Sequence, residues 1–422
     1  MRRSSGKSFM GTKFTCIAAT IVCLFGASLI MPPASQAEDK VIKIGAIAPL
    51  SGPLQPIGVN CKRGLLMAVD KINKAGGIKS MGGAKFKVVF EDDEAKPNVG
   101  MAVAERLIKQ EKVDVLMGAY TSSVSFPVTQ VAERYKVPIM VPTSAKDEIT
   151  ERGFQYTFRL VNKASDIAKH QLDFLVWLSK TKGVPIKTVG LLFEDSGWGQ
   201  SLAKNHRKLI KKYGFEVVAD LSYSKDTKDV RSTILKLKAA KPDVVIQESY
   251  TMDAILITKT MNELQFYAKA IVGTGTGHSN AGYHKGTGNL KAYMMQWEGW
   301  NPAIPLPEVK ALDKEFQKMY NMHLDVYAAY WYTSMFSLAK AYEMTGSLDK
   351  QKLMEALHKV KLNYKENGNL CLFPIYYDKS GQDPDAAGIF TQWINGKMEI
   401  IYPENGATAK AVFPVPPWSD RK

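Results

Sequence analysis

The sequence predicts an α/β protein of two lobes with parallel sheets, and three observations carry that prediction. The stretch Lys112-Val113-Asp114-Val115-Leu116-Met117-Gly118-Ala119-Tyr120-Thr121 is echoed about 130 residues later by Lys241-Pro242-Asp243-Val244-Val245-Ile246-Gln247-Glu248-Ser249-Tyr250-Thr251. Each reads as a short apolar strand entered through Asp, left through Tyr-Thr and followed by a segment of helical period. Strands and helices alternate along most of the chain, which implies parallel sheets with right-handed crossovers. In open α/β sheets, ligands sit at the carboxyl ends of strands, so two similar ends in two similar halves imply lobes facing across a ligand cleft.

The first 37 residues read as a targeting segment. Arg2, Arg3, Lys7 and Lys13 make a positive start without acids, Phe14 to Met31 is apolar, and Ser35-Gln36-Ala37 is a small-residue cleavage site. The mature chain then opens with a strand at Val41 to Pro49 and a Ser51-Gly52-Pro53 turn. A helix from about Val59 to Ala75 is stopped by Gly76-Gly77. Strand Phe86 to Phe90, helix Pro97 to Glu111, strand Val113 to Met117, a helix after Ser122 and strand Pro138 to Val141 complete a first βαβ series. Pro127 is placed in the first turn of its helix, where a missing N–H costs little.

The pattern restarts after about Phe158. It runs through helix Ala164–Lys180, strand Thr188–Phe193, helix Gly199–Tyr213, strand Glu216–Leu221 and helix Thr227–Ala240. Strand Asp243–Gln247, helix Met252–Leu264, strand Lys269–Val272 and strand Met294–Trp297 follow. Helices at Glu308–Tyr320, Val326–Met344 and Lys350–Val360 come too late for the second sheet and are expected to return to the first lobe. Strands near Ile389–Ile394 and Lys397–Tyr402 close the chain. The expected division is residues 38–158 with 300–385 in one lobe and 159–299 with 386–422 in the other.

Composition narrows the function. Removing residues 1–37 leaves 385, enough for two cored domains, and lowers the net charge from +15 to +11. Lysines are spread over helices, as at Lys204, Lys208, Lys211 and Lys212, without a basic stripe interleaved with aromatics, so no nucleic-acid partner is expected. After the leader, nothing approaches the ~18 unbroken apolar residues of a spanning helix. Cys61 and Cys371 stand 310 residues apart, and a disulfide between them is left open. No G-x-S-x-G, H-E-x-x-H, C-x-x-C or Walker A motif is present, and the glycines of Gly273 to Gly277 lack dinucleotide spacing. His278 and His284 are poorly spaced for a metal, so neither cofactor nor metal is expected.

Binding features are present instead. Tyr120-Thr121-Ser122-Ser123 leaves a strand and opens a helix, whose free N–H groups and dipole suit an anion. The adjacent strand ends in Thr143, Ser144 and Ala145, adding small hydroxyls suited to a carboxylate. From the other half, Trp198 and Tyr250 lie just past strand ends, where an aromatic either plugs a core or stacks on a ligand.

At this point the chain resembles the solute-binding proteins of branched-chain amino-acid-type ABC importers. The resemblance is carried by Ile44 to Gly52, the Asn73-Gly76-Gly77-Ile78 helix end, Glu91-Asp92-Asp93, Gly118 to Ser123, Val137 to Ser144, Tyr156-Thr157-Phe158-Arg159 and Gly197-Trp198-Gly199. It implies the type I periplasmic binding fold: two Rossmann-like lobes joined by a three-segment hinge that closes on a ligand. It further implies that Ser122 is the carboxylate-binding serine, flanked by Tyr120 and Thr121. Thr143, Ser144 and Ala145 match a second binding loop, and Trp198 and Tyr250 match aromatics of the second lobe. The chain departs from that pattern at Ala145, at Gly275, where an acid against the ligand ammonium is usual, and at Ile57, where an aromatic is frequent. An unpaired buried ammonium would be costly, so an amino-free carboxylate or an amide is a credible ligand, with Glu248, Glu298 or Asp195 as substitute acids.

The expectation is thus a non-enzymatic, monomeric periplasmic receptor that hands a small ligand to an inner-membrane ABC permease. A secreted hydrolase of small acids or amides, or a ligand-sensing subunit of a signalling system, are the alternatives.

Overall fold

The computed structural model describes residues 40–275 and 277–421, so the leader read from the sequence lies outside the described residues. Val41–Ala48 (β1), buried continuously from Ile44 to Ala48, is an inner strand of the first sheet. Gln55–Lys74 (α1), Lys85–Asp92 (β2), Pro97–Lys109 (α2), Val115–Met117 (β3), Ser122–Arg134 (α3), Ile139–Val141 (β4) and Thr157–Arg159 (β5) follow. The five strands pair in parallel in the order β2-β1-β3-β4-β5.

The second sheet is built by Ala164–Lys182 (α4), Thr188–Glu194 (β6), Gly197–Leu209 (α5), Glu216–Tyr223 (β7), Arg231–Ala240 (α6), Val244–Glu248 (β8), Thr251–Glu263 (α7), Ala270–Thr274 (β9), Ala281–Thr287 (α8) and Met295–Glu298 (β10). Three helices, Pro307–Tyr320 (α9), Val326–Thr345 (α10) and Lys350–Leu357 (α11), and a small ribbon, Lys361–Leu362 (β11) with Ile375–Tyr376 (β12), intervene. Ile389–Ile394 (β13) and Lys397–Tyr402 (β14) then complete a seven-stranded sheet, β14-β13-β10-β9-β8-β6-β7, in which β13 is antiparallel to both its neighbours, β10 and β14.

The two sequence echoes do the same structural work. Asp114 Oδ2 accepts the Lys43 N–H at 2.7 Å, and Asp243 Oδ2 accepts the Lys187 N–H at 2.7 Å. In each sheet the aspartate before a central strand thus pins the start of its neighbour. The late helices return to the first lobe: α10 packs on α1 so closely that a Cβ on Gly64 would lie 2.1 Å from the Ala328 carbonyl oxygen. The chain therefore passes between the sheets after β5, after β10 and before β13.

Several boundaries move. Pro127 sits in the second turn of α3, where it removes the N–H that would bond the Ser123 carbonyl. Helix α6 starts at Arg231 rather than Thr227, because Asp229 accepts the Arg231 N–H at 2.7 Å and fixes the entry there. Cys61 and Cys371 are both free and buried.

Candidate functional site

The first lobe presents two adjoining strand-end loops. Beyond β3, Gly118 adopts φ +133°, and a Cβ there would meet the Ile47 carbonyl at 2.2 Å, so only glycine lets the chain leave the sheet this way. Thr121 is the extended N-cap of α3. Ser144 Oγ and Ser125 Oγ are 2.6 Å apart, and Ser144 also donates toward the Tyr120 carbonyl at 3.0 Å. Ser122 Oγ accepts the Lys146 N–H at 3.2 Å, and Thr121 Oγ1 accepts from Ser123 Oγ at 3.3 Å. These hydroxyls knit the two loops together. Thr143, whose hydroxyl donates a long bond to the Tyr120 carbonyl at 3.4 Å, and Ala145 line a cavity.

The second lobe presents aromatics on turns held by buried acids. Glu194 accepts the Ser196 and Gly199 N–H groups, both at 2.7 Å, which fixes the turn carrying Trp198. Asp253 accepts the Tyr250 N–H at 3.1 Å and the Tyr223 hydroxyl at 2.7 Å. Burial, opposed by Gln171 and Thr274, pushes the Glu248 carboxyl up to about 8; burial, opposed by the Tyr223 and backbone hydrogen bonds, pushes Asp253 to about 7. Gly275 has φ +76°, and a Cβ on it would lie 2.5 Å from Trp198 Cη2, so the bare backbone is the seat of the indole. Trp198, Tyr250, Tyr120 and Tyr327 form a chain of rings with centroid spacings of 5.2, 6.2 and 5.1 Å, crossing from the second lobe to the first.

The cavity between them offers about 60 Å³ to the centres of water-sized molecules. At ~10–15 Å³ per water, that is room for roughly four to six waters. Its walls are Thr143 and Ala145, then Trp198, Thr274 and Gly275, then Asn162, Trp297, Glu298 and Gly299 near the chain crossings, and Val326, Tyr327 and Tyr330 from α10. It adjoins a wider groove of about 810 Å³ that shares Glu298, Val326 and Tyr327 and includes Tyr250 and Ile57. The groove is larger, but the strand ends converge on the smaller space.

Of the residues singled out from sequence, Thr143, Ala145, Trp198 and Gly275 share the cavity wall, Tyr250 lines the groove, and Tyr120 links them through its ring. Thr121, Ser122 and Ser144 stand behind, in the loop scaffold. Asn162, Trp297, Tyr327 and Tyr330 were not foreseen; only Glu298, an acid at a strand end, carried any signal. Among the described residues no group of three or more His, Cys, Asp or Glu is placed to hold a metal.

The lobes also touch beside the cavity. Asn205 Nδ2 of α5 donates to Asp147 Oδ2 at 2.7 Å, both residues being buried, and Lys204 pairs with Glu148 at 3.3 Å. The first turns of α3 and α5 meet, with a Cβ on Gly197 lying 3.6 Å from the Ser123 nitrogen.

Comparison with known proteins places this geometry. Residues 41–397 match the family described as periplasmic binding protein. The Leu/Ile/Val-binding protein homolog 8 of Brucella suis is 30% identical over 404 residues, covering 92% of this chain and 98% of that relative. Two solved structures share the fold. The branched-chain amino acid transporter substrate-binding protein LivJ of Streptococcus pneumoniae, in complex with isoleucine, matches with TM-score 0.73 and 23% identity over 86% of this chain and 100% of that one. An ABC-transporter solute-binding protein of R. palustris, in complex with benzoate, matches with TM-score 0.76 and 21% identity over 88% and 98%.

Proposed function

The chain belongs to the periplasmic binding protein family, and from that premise we propose that it captures a small carboxylate-bearing ligand by hinge closure and presents the closed form to an inner-membrane ABC permease. It is a binding protein, not an enzyme, as its relatives are. The lobes proposed to close are residues 38–158 with 300–385 and residues 159–299 with 386–422, and a leader of residues 1–37 takes the chain to the periplasm. The monomer is the proposed working unit.

The observation that carries this reading is the cavity itself, placed where strand ends of both sheets meet, with Thr143 on one wall and Trp198 on another. Its polar wall on the first lobe is Thr143, on the loop that leaves β4. Its apolar wall is Trp198 on Gly275, which suits an aliphatic chain or a ring. Thr121, Ser122 and Ser144 hold the carboxylate loop in shape, while Tyr120 and Tyr250 form the closing contact between lobes. Both an amino acid and an aromatic acid fit this description.

The test is binding without turnover. Leucine, isoleucine, benzoate and 3,4-dihydroxybenzoate are each incubated with purified protein and followed by calorimetry and mass spectrometry. Stoichiometric binding of at least one, unchanged in mass after prolonged incubation, is the expected result. Conversion of several equivalents, or binding by none of the four, contradicts the reading.

A further inference from the structure

We infer that Glu298 and Asn162 form a second polar subsite of the cavity, which accepts hydrogen bonds from a donor group on the ligand, an ammonium or a hydroxyl. The inference rests on the reading that the cavity takes a small carboxylate, and it adds what the rest of that ligand must carry.

Both side chains line the cavity, and both are buried, at 0% exposure for Asn162 and 5% for Glu298. Asn162 donates its Nδ2 to the Ala386 carbonyl, which can only accept. That fixes the amide, and the atom left is Oδ1, which has no partner among the described residues. Glu298 Oε1 accepts the Thr391 hydroxyl at 2.6 Å, while among the described residues Oε2 has only the Asn301 amide at 3.4 Å. Two buried acceptors are therefore under-filled on one small cavity, and buried acceptors in folded proteins are almost always filled. Burial pushes the Glu298 carboxyl up to about 7, with only Thr391 and Asn301 pulling it back. The indole N–H of Trp297 is unpaired as well, but it points at the place a Gly388 Cβ would occupy, 2.4 Å away, and is no partner for these oxygens. A ligand donor satisfies both acceptors.

The subsite also sits where the chain crosses between sheets. Asn162 follows β5, Glu298 ends β10, and Ala386 precedes β13, which carries Thr391. A donor bound here meets two of the crossings directly, and the hydrogen bonds of Asn162 to Ala386 and of Thr391 to Glu298 tie it to the third.

Two matched pairs test the inference by calorimetry: leucine against 4-methylpentanoate, and 3,4-dihydroxybenzoate against benzoate. In the unaltered protein the donor-bearing member of at least one pair binds about tenfold or more tighter than its partner, as expected for a hydrogen bond to a charged or buried acceptor. Discrimination in the first pair marks an ammonium, and in the second a hydroxyl. In Glu298→Gln, which keeps an acceptor for Thr391, that preference falls below about threefold. The comparison in the unaltered protein needs no variant to fold. Carboxylate binding with no preference in either pair, or a preference unchanged by Glu298→Gln, overturns this inference and leaves the carboxylate reading intact. Failure of all four acids to bind overturns both.

Discussion

Replacing Asn205 by alanine should open the closed form without loosening either lobe. The Asn205 amide reaches from α5 to Asp147 Oδ2 at 2.7 Å, and Asp147 Oδ1 is already engaged by the Ser165 N–H at 2.9 Å. Both partners are buried, with 7% exposure at Asp147 and 6% at Asn205. A hydrogen bond to a charged group contributes ~1.5–3 kcal/mol, and it is lost only in the closed form, because in the open form water takes its place. A closed form penalised by that amount weakens ligand binding by roughly 10- to 150-fold, at ~1.4 kcal/mol per decade, mostly through faster release. Calorimetry with whichever of leucine, isoleucine, benzoate or 3,4-dihydroxybenzoate binds the parent most tightly measures it, alongside the melting temperature without ligand. A dissociation constant within about twofold of the parent would refute the idea that this bond latches closure. Lys204→Ala is the built-in comparison. Its pair with Glu148 is 69% exposed on the lysine side, and an exposed pair contributes ~0–1 kcal/mol, so its effect should stay under about fivefold.

Three further outcomes follow from the same geometry. Thr143→Val should weaken binding by ~3- to 10-fold at unchanged melting temperature, while Ser144→Ala should lower the melting temperature with affinity nearly intact, because the Ser144 hydroxyl bonds to Ser125 and to the Ala119 and Tyr120 carbonyls and does not line the cavity; the reverse pattern would exchange their roles. Gly275→Ala should cost about tenfold or more in affinity, since it strains a left-handed residue by ~1–2 kcal/mol and drives a methyl into Trp198, and unchanged affinity would show that the indole is not part of the site. Glu248, with a carboxyl raised by burial from 4.5 to about 8, binds its proton more tightly folded than unfolded, so its contribution is complete below about pH 4.5 and is lost as pH rises toward 8; Glu248→Gln should flatten the fall in melting temperature over that window, and an unaltered slope would clear Glu248 of it.

The architecture was legible because its signals are local. The Asp-strand-Tyr-Thr echo found both central strands, and Asp114 and Asp243 prove to do the same job of pinning a neighbouring strand. Strand β5, as short as β3 and β4, was missed because it ends in Arg159, a charge that no strand pattern favours. Its burial is possible only through distant partners, with the guanidinium satisfied by Gln382, Thr150 and the Ser144 and Lys146 carbonyls. Helix α8 was hidden by its glycines and a histidine; Asn280, accepting the Tyr283 N–H at 3.0 Å, is what starts it. At the site, the strand-end residues Thr143, Trp198 and Gly275 could be read because strand ends are where α/β sheets place ligands. Tyr327 and Tyr330 could not, because they come from a helix that reaches the cavity only after the chain has crossed back to the first sheet. Nor could the division between Ser122, held in the scaffold, and Thr143, facing the cavity, since one residue's orientation in a loop depends on contacts such as the bond from Lys146 to Ser122.

The central claim is that a small acid closes two lobes about three chain crossings. Small-angle scattering on residues 38–422, with and without a saturating amount of the tightest-binding of the four acids, tests it most directly. A smaller radius of gyration in the liganded sample, reversed in Asn205→Ala at the same ligand concentration, is the result expected. Superimposable curves with and without an acid whose binding calorimetry has verified would contradict it.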